Sequence, residues 1–206
     1  MLSWHNDPAL KAEVVERMRK HREFDEIVQG LYQMQNPQKA SGYIGCAIGC
    51  TLPHKPENFD GWHAEVEREY GIPESIAYVI DEVFEGLHTK EKEHARFAVD
   101  VIEAIPVGVD LSSVPGALEA DLRKKHPYLT RALNPLEYDW PQDLSSLICE
   151  LSPDARGQYS KRSPYFRWVR DRLLHHLRAL EPAPPLIQHI DIPEPEPILI
   201  RTVVNN

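Results

Sequence analysis

Apolar residues recur at intervals of three and four along most of this chain, which predicts a series of amphipathic α-helices. The first helix begins with Asp7 as its N-terminal cap and Pro8 in its first turn. Its apolar stripe continues as far as Tyr32. We therefore expect the helix to end near Gly30 or, at the latest, before Pro37.

The same periodicity returns in six later segments, which proline, glycine or a capping side chain separates. The predicted helices run from Asp60 to Tyr70, from Pro73 to Leu87, from Thr89 to Ile105, from Ser113 past Leu122, over Leu144 to Leu151, and from Ser163 to Leu180.

A glycine-punctuated segment, residues 41–53, lies between the first helix and these later ones. It places Gly42, Gly45 and Gly49 among small and apolar residues. This pattern predicts a tight, largely buried turn or short helix that neighbouring backbone approaches closely.

The composition changes after Glu181, where six prolines exclude a helix. Two β-branched segments, residues 186–192 and 198–204, lie among these prolines. They are expected to form a small β-hairpin, or an arm across the helical body or a second subunit. The sequence thus predicts an all-α, orthogonal multi-helix bundle over residues 1–181 and a short extended, proline-rich C-terminal arm over residues 182–206.

Composition and charge narrow the class of protein. A chain of 206 residues with 42% hydrophobic and 27% charged residues is typical of a soluble globular protein, with no membrane span or signal peptide. Three cysteines are too few for a disulfide scaffold, which favours a cytoplasmic location. Residues 57–103 hold thirteen acidic and four basic residues. The difference equals the whole net charge of −9. Such a segment repels phosphate backbones, so we expect it not to bind nucleic acid.

The opposite charge is concentrated near the end of the helical region. Residues 161–178 carry six Lys and Arg residues and one acid, together with neighbouring aromatic residues. Such a run can meet phosphate or RNA. Because its charges are scattered around the helix, pairing with the acidic segment is the favoured interpretation.

His21 and Asp25 are the first candidate for chemistry. They are four residues apart on the predicted first helix and lie within its apolar stripe, so their side chains are expected to meet. A buried His–carboxylate pair can be a general base with its orienting partner, or half of a metal site. It can equally be a hydrogen-bonded structural pair, which is the favoured interpretation.

A second candidate is the series Cys46, Cys50, His54 and His63, which offers four zinc-type ligands in eighteen residues. Zinc sites favour two cysteines separated by two residues, whereas here three separate them, so buried packing of the thiols is favoured. No cofactor is expected and no metal site is assigned. His94 and His176 fall on apolar stripes and are expected to be satisfied core residues.

Several short motifs in the first half resemble an uncharacterised family of small bacterial and phage proteins. The most specific motif is Gly45-Cys-Ala-Ile-Gly-Cys-Thr-Leu52. The others are His21 with Asp25, Gly30-Leu-Tyr32, Gly71-Ile-Pro73, Phe84-Glu-Gly-Leu87 and Ala104-Ile-Pro-Val-Gly-Val-Asp-Leu111. The resemblance carries no activity, but it implies that His21, Asp25, Cys46 and Cys50 form one corner of the fold.

Two functional hypotheses follow from these observations. The favoured one is a non-enzymatic cytoplasmic binding or protein-interaction protein, self-associated as a homo-oligomer through its arm. The alternative is a metal-dependent, hydrolase-like enzyme with a site built from His21, Asp25 and the Cys46–His63 segment.

Overall fold

A computed structural model describes residues 1–58, 61–89, 91–126, 143–152 and 162–181. Within these residues the protein is mostly helical, which confirms the predicted class, and the arm at 182–206 lies outside them. The elements are α1 (Pro8–Glu23), β1 (Gln33–Gln35), β2 (Tyr43–Gly45), α2 (Ala47–Thr51), α3 (Trp62–Tyr70), α4 (Glu74–Gly86), α5 (Glu93–Ala104), α6 (Ser113–Lys125), α7 (Asp143–Leu151) and α8 (Arg162–Arg178).

Local sequence signals explain several helix ends. The Asp7 carboxylate accepts a hydrogen bond from the Ala9 N–H at 2.8 Å and so caps α1. Gly71, with a φ of 64°, ends α3 in the left-handed conformation that glycine adopts without strain. Pro73 immediately precedes α4, as the sequence predicts. By contrast, Thr89 lies in a turn ahead of α5, which begins only at Glu93.

The first helix is shorter than its apolar stripe predicts, because it ends at Glu23 rather than near Gly30. The chain turns at Asp25, whose φ is 59°. Beyond the turn, the Val28 N–H donates to the Gly45 carbonyl, and β1 pairs antiparallel with β2. Hydrogen bonding to backbone distant in sequence therefore replaces the helical pattern. No local sequence pattern predicted this small sheet.

Helix α4 lies at the centre of the described core and packs against α2, α3, α5, α6, α7 and α8. Its predicted apolar face is buried, including Ile76, Val79, Ile80 and Val83. This arrangement leaves the acidic residues of α4 at the edge of the core, where Asp81 and Glu85 are only half-buried.

Helix α8 covers one side of α4 and partly neutralises the acidic segment, since Arg167 forms an ion pair with Glu93 at 2.7 Å. His94 is buried as predicted, whereas His176 is half-buried and pairs with Asp121 at 2.9 Å. In the part of the chain that the structure describes, no helix has the length and apolar character needed to cross a membrane.

Candidate functional site

The loop at residues 30–33 packs directly against Gly45 and Gly49 of the 41–53 segment. A Cβ atom on Gly49 would lie 1.5 Å from the Tyr32 carbonyl oxygen, and one on Gly45 would lie 2.3 Å from it. The Cys46 N–H, at the start of α2, donates to the Leu31 and Tyr32 carbonyls at 2.9 and 3.2 Å. The predicted close approach of neighbouring backbone is therefore confirmed, and it fixes the position of Tyr32.

A cavity of about 420 Å³ opens between this loop and α4. Residues 30–33 and Cys46 line one side, and Asp81 and Glu85 line the other. The two acids are four residues apart on α4, so both carboxylates project from the same face of the helix. These lining residues include no Lys or Arg, and the cavity is therefore acidic.

The Asp81 carboxylate is held by an aromatic cluster. Its Oδ2 accepts a hydrogen bond from His63 Nε2 at 3.2 Å, and the Tyr32 hydroxyl also bonds to it. The Tyr32 ring stacks on Trp62 with centroids 5.3 Å apart, and the His63 ring stacks on Tyr78 at 3.8 Å. Asp81 Oδ1 is enclosed and accepts no hydrogen bond from the described residues.

Glu85 ties the cavity to the loop. Both of its carboxylate oxygens accept the Gly30 N–H, at 2.9 and 3.1 Å. The Gln29 amide donates to the Phe84 carbonyl at 2.6 Å and to the Leu87 carbonyl at 3.0 Å, which satisfies the end of α4. Gln29 and Glu85 therefore both join the loop to α4.

The Tyr32 hydroxyl and the Cys46 thiol, which line this cavity, are neutral at physiological pH. Burial, followed by the charge of Asp81, raises the pKa of the Tyr32 hydroxyl. Burial also raises the pKa of the Cys46 thiol well above its usual range, and that of Cys50 likewise. Because the thiolate is the form that acts as nucleophile and metal ligand, these protonated cysteines have low reactivity.

His21 and Asp25 do not meet, so the predicted pairing is wrong. Asp25 follows the end of α1, is exposed and forms an ion pair with Lys92 at 2.8 Å. His21 instead contacts Glu26, with 2.7 Å between Nδ1 and Oε2. The turn at Asp25 places the Asp25 side chain in solvent and the Glu26 side chain in the core. Glu26 therefore takes the place beside His21 that the sequence predicted for Asp25.

His21, Glu26 and Tyr43 form a buried chain of hydrogen bonds. His21 Nδ1 donates to Glu26, and His21 Nε2 accepts from the Tyr43 hydroxyl at 2.9 Å. Burial lowers the pKa of His21 against the opposing effect of Glu26. Burial alone would raise the pKa of Glu26, but the hydrogen bonds from Ser41 and His21 outweigh it and lower that pKa. The imidazole is therefore neutral beside an ionised carboxylate.

A cavity of about 300 Å³ lies against this chain, with Arg17 and Lys20 in its lining. Arg17 already donates to the Thr51 carbonyl and pairs with Glu13 at 2.6 Å. The Tyr43 hydroxyl, whose pKa burial raises to about 12, donates into the chain. The polar groups here are satisfied by the protein itself, which is typical of a structural network.

The structure distributes the four predicted zinc ligands over separate contacts. Cys46 Sγ accepts the Gly49 N–H at 3.4 Å, and Cys50 Sγ donates to the Gly45 carbonyl at 3.4 Å. His54 is exposed and pairs with Glu65 at 3.0 Å, while His63 is buried against Asp81. Each potential ligand thus has its own partner within the protein.

His54 does lie near two carboxylates, those of Glu65 and Glu69, with ligand atoms of all three within 4.8 Å of one another. The Arg68 guanidinium contacts both carboxylates and supplies the positive charge there. Its hydrogen bond, with that of His54, lowers the pKa of Glu65 to about 2. One of the two negative charges in the cluster is therefore already balanced by a side chain.

The sequence analysis missed the acidic residues of the cavity beside Tyr32. Asp81 and Glu85 read as the solvated face of an amphipathic helix, and only their spacing of four could have paired them. Of the candidate site residues named from the sequence, Cys46 alone lines this cavity. The resemblance of the first half to the bacterial and phage family stays a prediction, because comparisons with family models, curated proteins and solved structures find no match for this chain.

Proposed function

We propose that this protein is a non-enzymatic binding protein that takes a positively charged group, an ammonium or a guanidinium, in the cavity beside Tyr32. The observation that carries this proposal is the pair of carboxylates, Asp81 and Glu85, on one side of a cavity whose lining offers no cation. Like charges four residues apart on a helix repel each other, and a bound cation relieves that repulsion.

Binding is favoured over catalysis by the state of the neighbouring groups. The Cys46 thiol is protonated because burial raises its pKa, and His63 is committed to Asp81. The aromatic stack of Tyr32 on Trp62 supports a preformed recognition site. The alternative of a metal-dependent enzyme would need His21, Asp25 and the 46–63 segment to converge, whereas each of these residues has a separate partner.

We also propose a cytoplasmic location, no nucleic-acid partner and self-association through the arm. The odd number of cysteines and the acidic residues at 57–103 support the first two. The apolar residues of the arm, among them Ile198, Leu199 and Ile200, support the third.

The test uses N-acetyl-arginine amide as a cationic probe and N-acetyl-citrulline amide as its neutral match, titrated into the full chain and followed by NMR. Hydrogen bonds to a charged group are worth about 1.5–3 kcal/mol, so the citrulline probe should bind at least about tenfold more weakly. Asp81→Asn and Glu85→Gln should each weaken the arginine probe by a similar factor. The matched control is Glu82→Gln, which removes an acid of α4 that does not line the cavity.

Equal binding of both probes would contradict a site for positive charge. Shifts confined to residues remote from Tyr32 would contradict the assigned cavity. Glu85→Gln is a fair test of charge, because its amide oxygen can still accept the Gly30 N–H and hold the loop.

A further inference from the structure

The edge of β1 beside the acidic cavity is unpaired in the described chain. The Cys46 N–H donates to the Tyr32 carbonyl, and the Asn36 N–H donates to the Gly42 carbonyl. Since bonding alternates along an antiparallel pair, the backbone groups of Gln33 and Gln35 face away from β2. No described backbone group outside β2 pairs with them.

This edge adjoins the cavity, because Gln33 belongs to β1 and also lines it. Met34, between the two unpaired residues, is 51% exposed. A free strand edge with an exposed apolar side chain binds extended peptides through added backbone hydrogen bonds. The acidic cavity next to that edge adds a preference for a peptide that carries a basic side chain.

We propose that the occupant is the C-terminal arm of a second copy of this chain, with residues 198–204 paired along β1 and Arg201 in the acidic cavity. This assignment rests on the proposed function, since it identifies Arg201 as the positively charged group that the cavity binds. Residues 198–204 are β-branched or apolar apart from Arg201. Arg201 is the only Lys or Arg among residues 182–206, so the arm offers a single cation, in the middle of its most β-prone segment.

The length of the chain favours a second copy over the same molecule. Phe166 contacts Gly86, next to Glu85, so the end of α8 at Arg178 lies roughly 18 Å farther along the helix, at about 1.5 Å per residue. Residues 182–200 include six prolines, and a proline-rich chain of this length reaches roughly 60 Å when fully extended at about 3.1 Å per residue. A linker whose extended length is more than twice the distance required lowers the effective concentration of the arm at its own cavity. Reciprocal exchange of two arms gives a closed, twofold dimer.

The experiment compares the full-length protein with its Arg201→Gln variant by two measurements. Light scattering over a concentration series gives the dimer dissociation constant, and NMR titration gives the affinity for N-acetyl-arginine amide. We expect Arg201→Gln to raise the dimer dissociation constant at least about tenfold, since each exchanged arm loses a charge-assisted contact. The same variant should bind the probe more tightly than the wild type, because its cavities are vacated.

The matched control is Glu196→Gln, which changes the charge of the arm outside residues 198–204 and should leave both measurements unchanged. Circular dichroism verifies that the variants are folded. A monomeric wild type whose probe affinity still rises on Arg201→Gln would place the arm in its own cavity and overturn the exchange. If the probe binds the wild type and Arg201→Gln equally, the arm is not the occupant and the proposed function stands. If it binds neither protein, the proposed function itself fails.

Discussion

Glu26 shows how a single buried carboxylate can join several elements. It accepts hydrogen bonds from His21 on α1 and from the Ser41 N–H ahead of β2, and its own carbonyl accepts the Gly45 N–H. Its side chain is only 1% exposed. A charge in such a position is tolerated because each of its oxygens has a donor, so removing the charge or a donor should be costly.

Glu26→Gln should therefore destabilise the protein, whereas Asp25→Asn should not. The amide cannot provide two acceptor oxygens for His21 and Ser41, and the loss of a buried charged partner costs about 1–3 kcal/mol. Asp25 is exposed and its ion pair with Lys92 is at the surface, so its change should stay within about 0.5 kcal/mol. The free energies of unfolding in urea compare the two. Equal losses would mean that Asp25, as the sequence suggested, also supports the core.

The spacing of His21 and Asp25 wrongly predicted that these two side chains pair. A spacing of four pairs two side chains only while the helix continues, and α1 ends at Glu23. The residue that does pair with His21 is five positions away, across a turn that places Asp25 at a positive φ. Asp is among the residues that tolerate this conformation, which was the one local signal.

At the scale of elements, the contact between α2 and the loop at residues 30–33 shapes the candidate site. Two glycines one turn apart let the Tyr32 backbone lie directly on the short helix. The Tyr32 ring then stacks on Trp62 of α3, while its hydroxyl reaches Asp81 of α4. The contacts of this loop with α3 and α4 therefore require that positions 45 and 49 carry no Cβ atom.

Gly49→Ala should displace this loop and damage both stability and binding. Its Cβ would lie 1.5 Å from the Tyr32 carbonyl oxygen, and crowding of a packed interior typically costs about 1–3 kcal/mol. We expect a lower free energy of unfolding in urea together with at least about tenfold weaker binding of N-acetyl-arginine amide.

The control for this prediction is Gly116→Ala on α6. Its Cβ would meet nothing within 4 Å, and alanine favours an exposed helical position by up to about 1 kcal/mol over glycine. This variant should be as stable as the wild type or more so. A Gly49→Ala protein that matches it in stability and binding would show that the loop does not need the glycine.

At the scale of the whole molecule, charge and core are arranged around α4. Its apolar face is enclosed by helices, and its acidic edge meets the loop at residues 30–33. Elsewhere ion pairs between distant elements, such as Arg167 with Glu93 and Arg19 with Glu103, moderate the acidic segment. The cavity beside Tyr32 keeps two carboxylates together, which is the feature that its proposed ligand requires.

Stability should decrease on acidification in two stages. Burial lowers the pKa values of His21 and His94 below 6.5, so the unfolded chain binds more protons as the pH falls below that value, and stability declines. The carboxyls of Glu26 and Glu93 have lowered pKa values, so their contribution is lost as the pH falls below about 4. Urea unfolding at a series of pH values, from about 7.5 to about 3, measures both stages. Stability that is constant between about pH 7 and pH 5 would contradict the histidine contribution.

The sequence by itself determined the helical class, most helix positions, the apolar faces of α4 and α5, and the close approach at the glycines. Periodicity, caps and glycine punctuation are local, and each is read within one or two turns of chain. Only the tertiary structure decided where α1 ends, that β1 and β2 pair, and that Glu26 replaces Asp25 beside His21. It also decided that Asp81 and Glu85 line a cavity with Tyr32. These outcomes depend on which distant backbone and side chains compete for the same hydrogen bonds and space, and no local pattern records that competition.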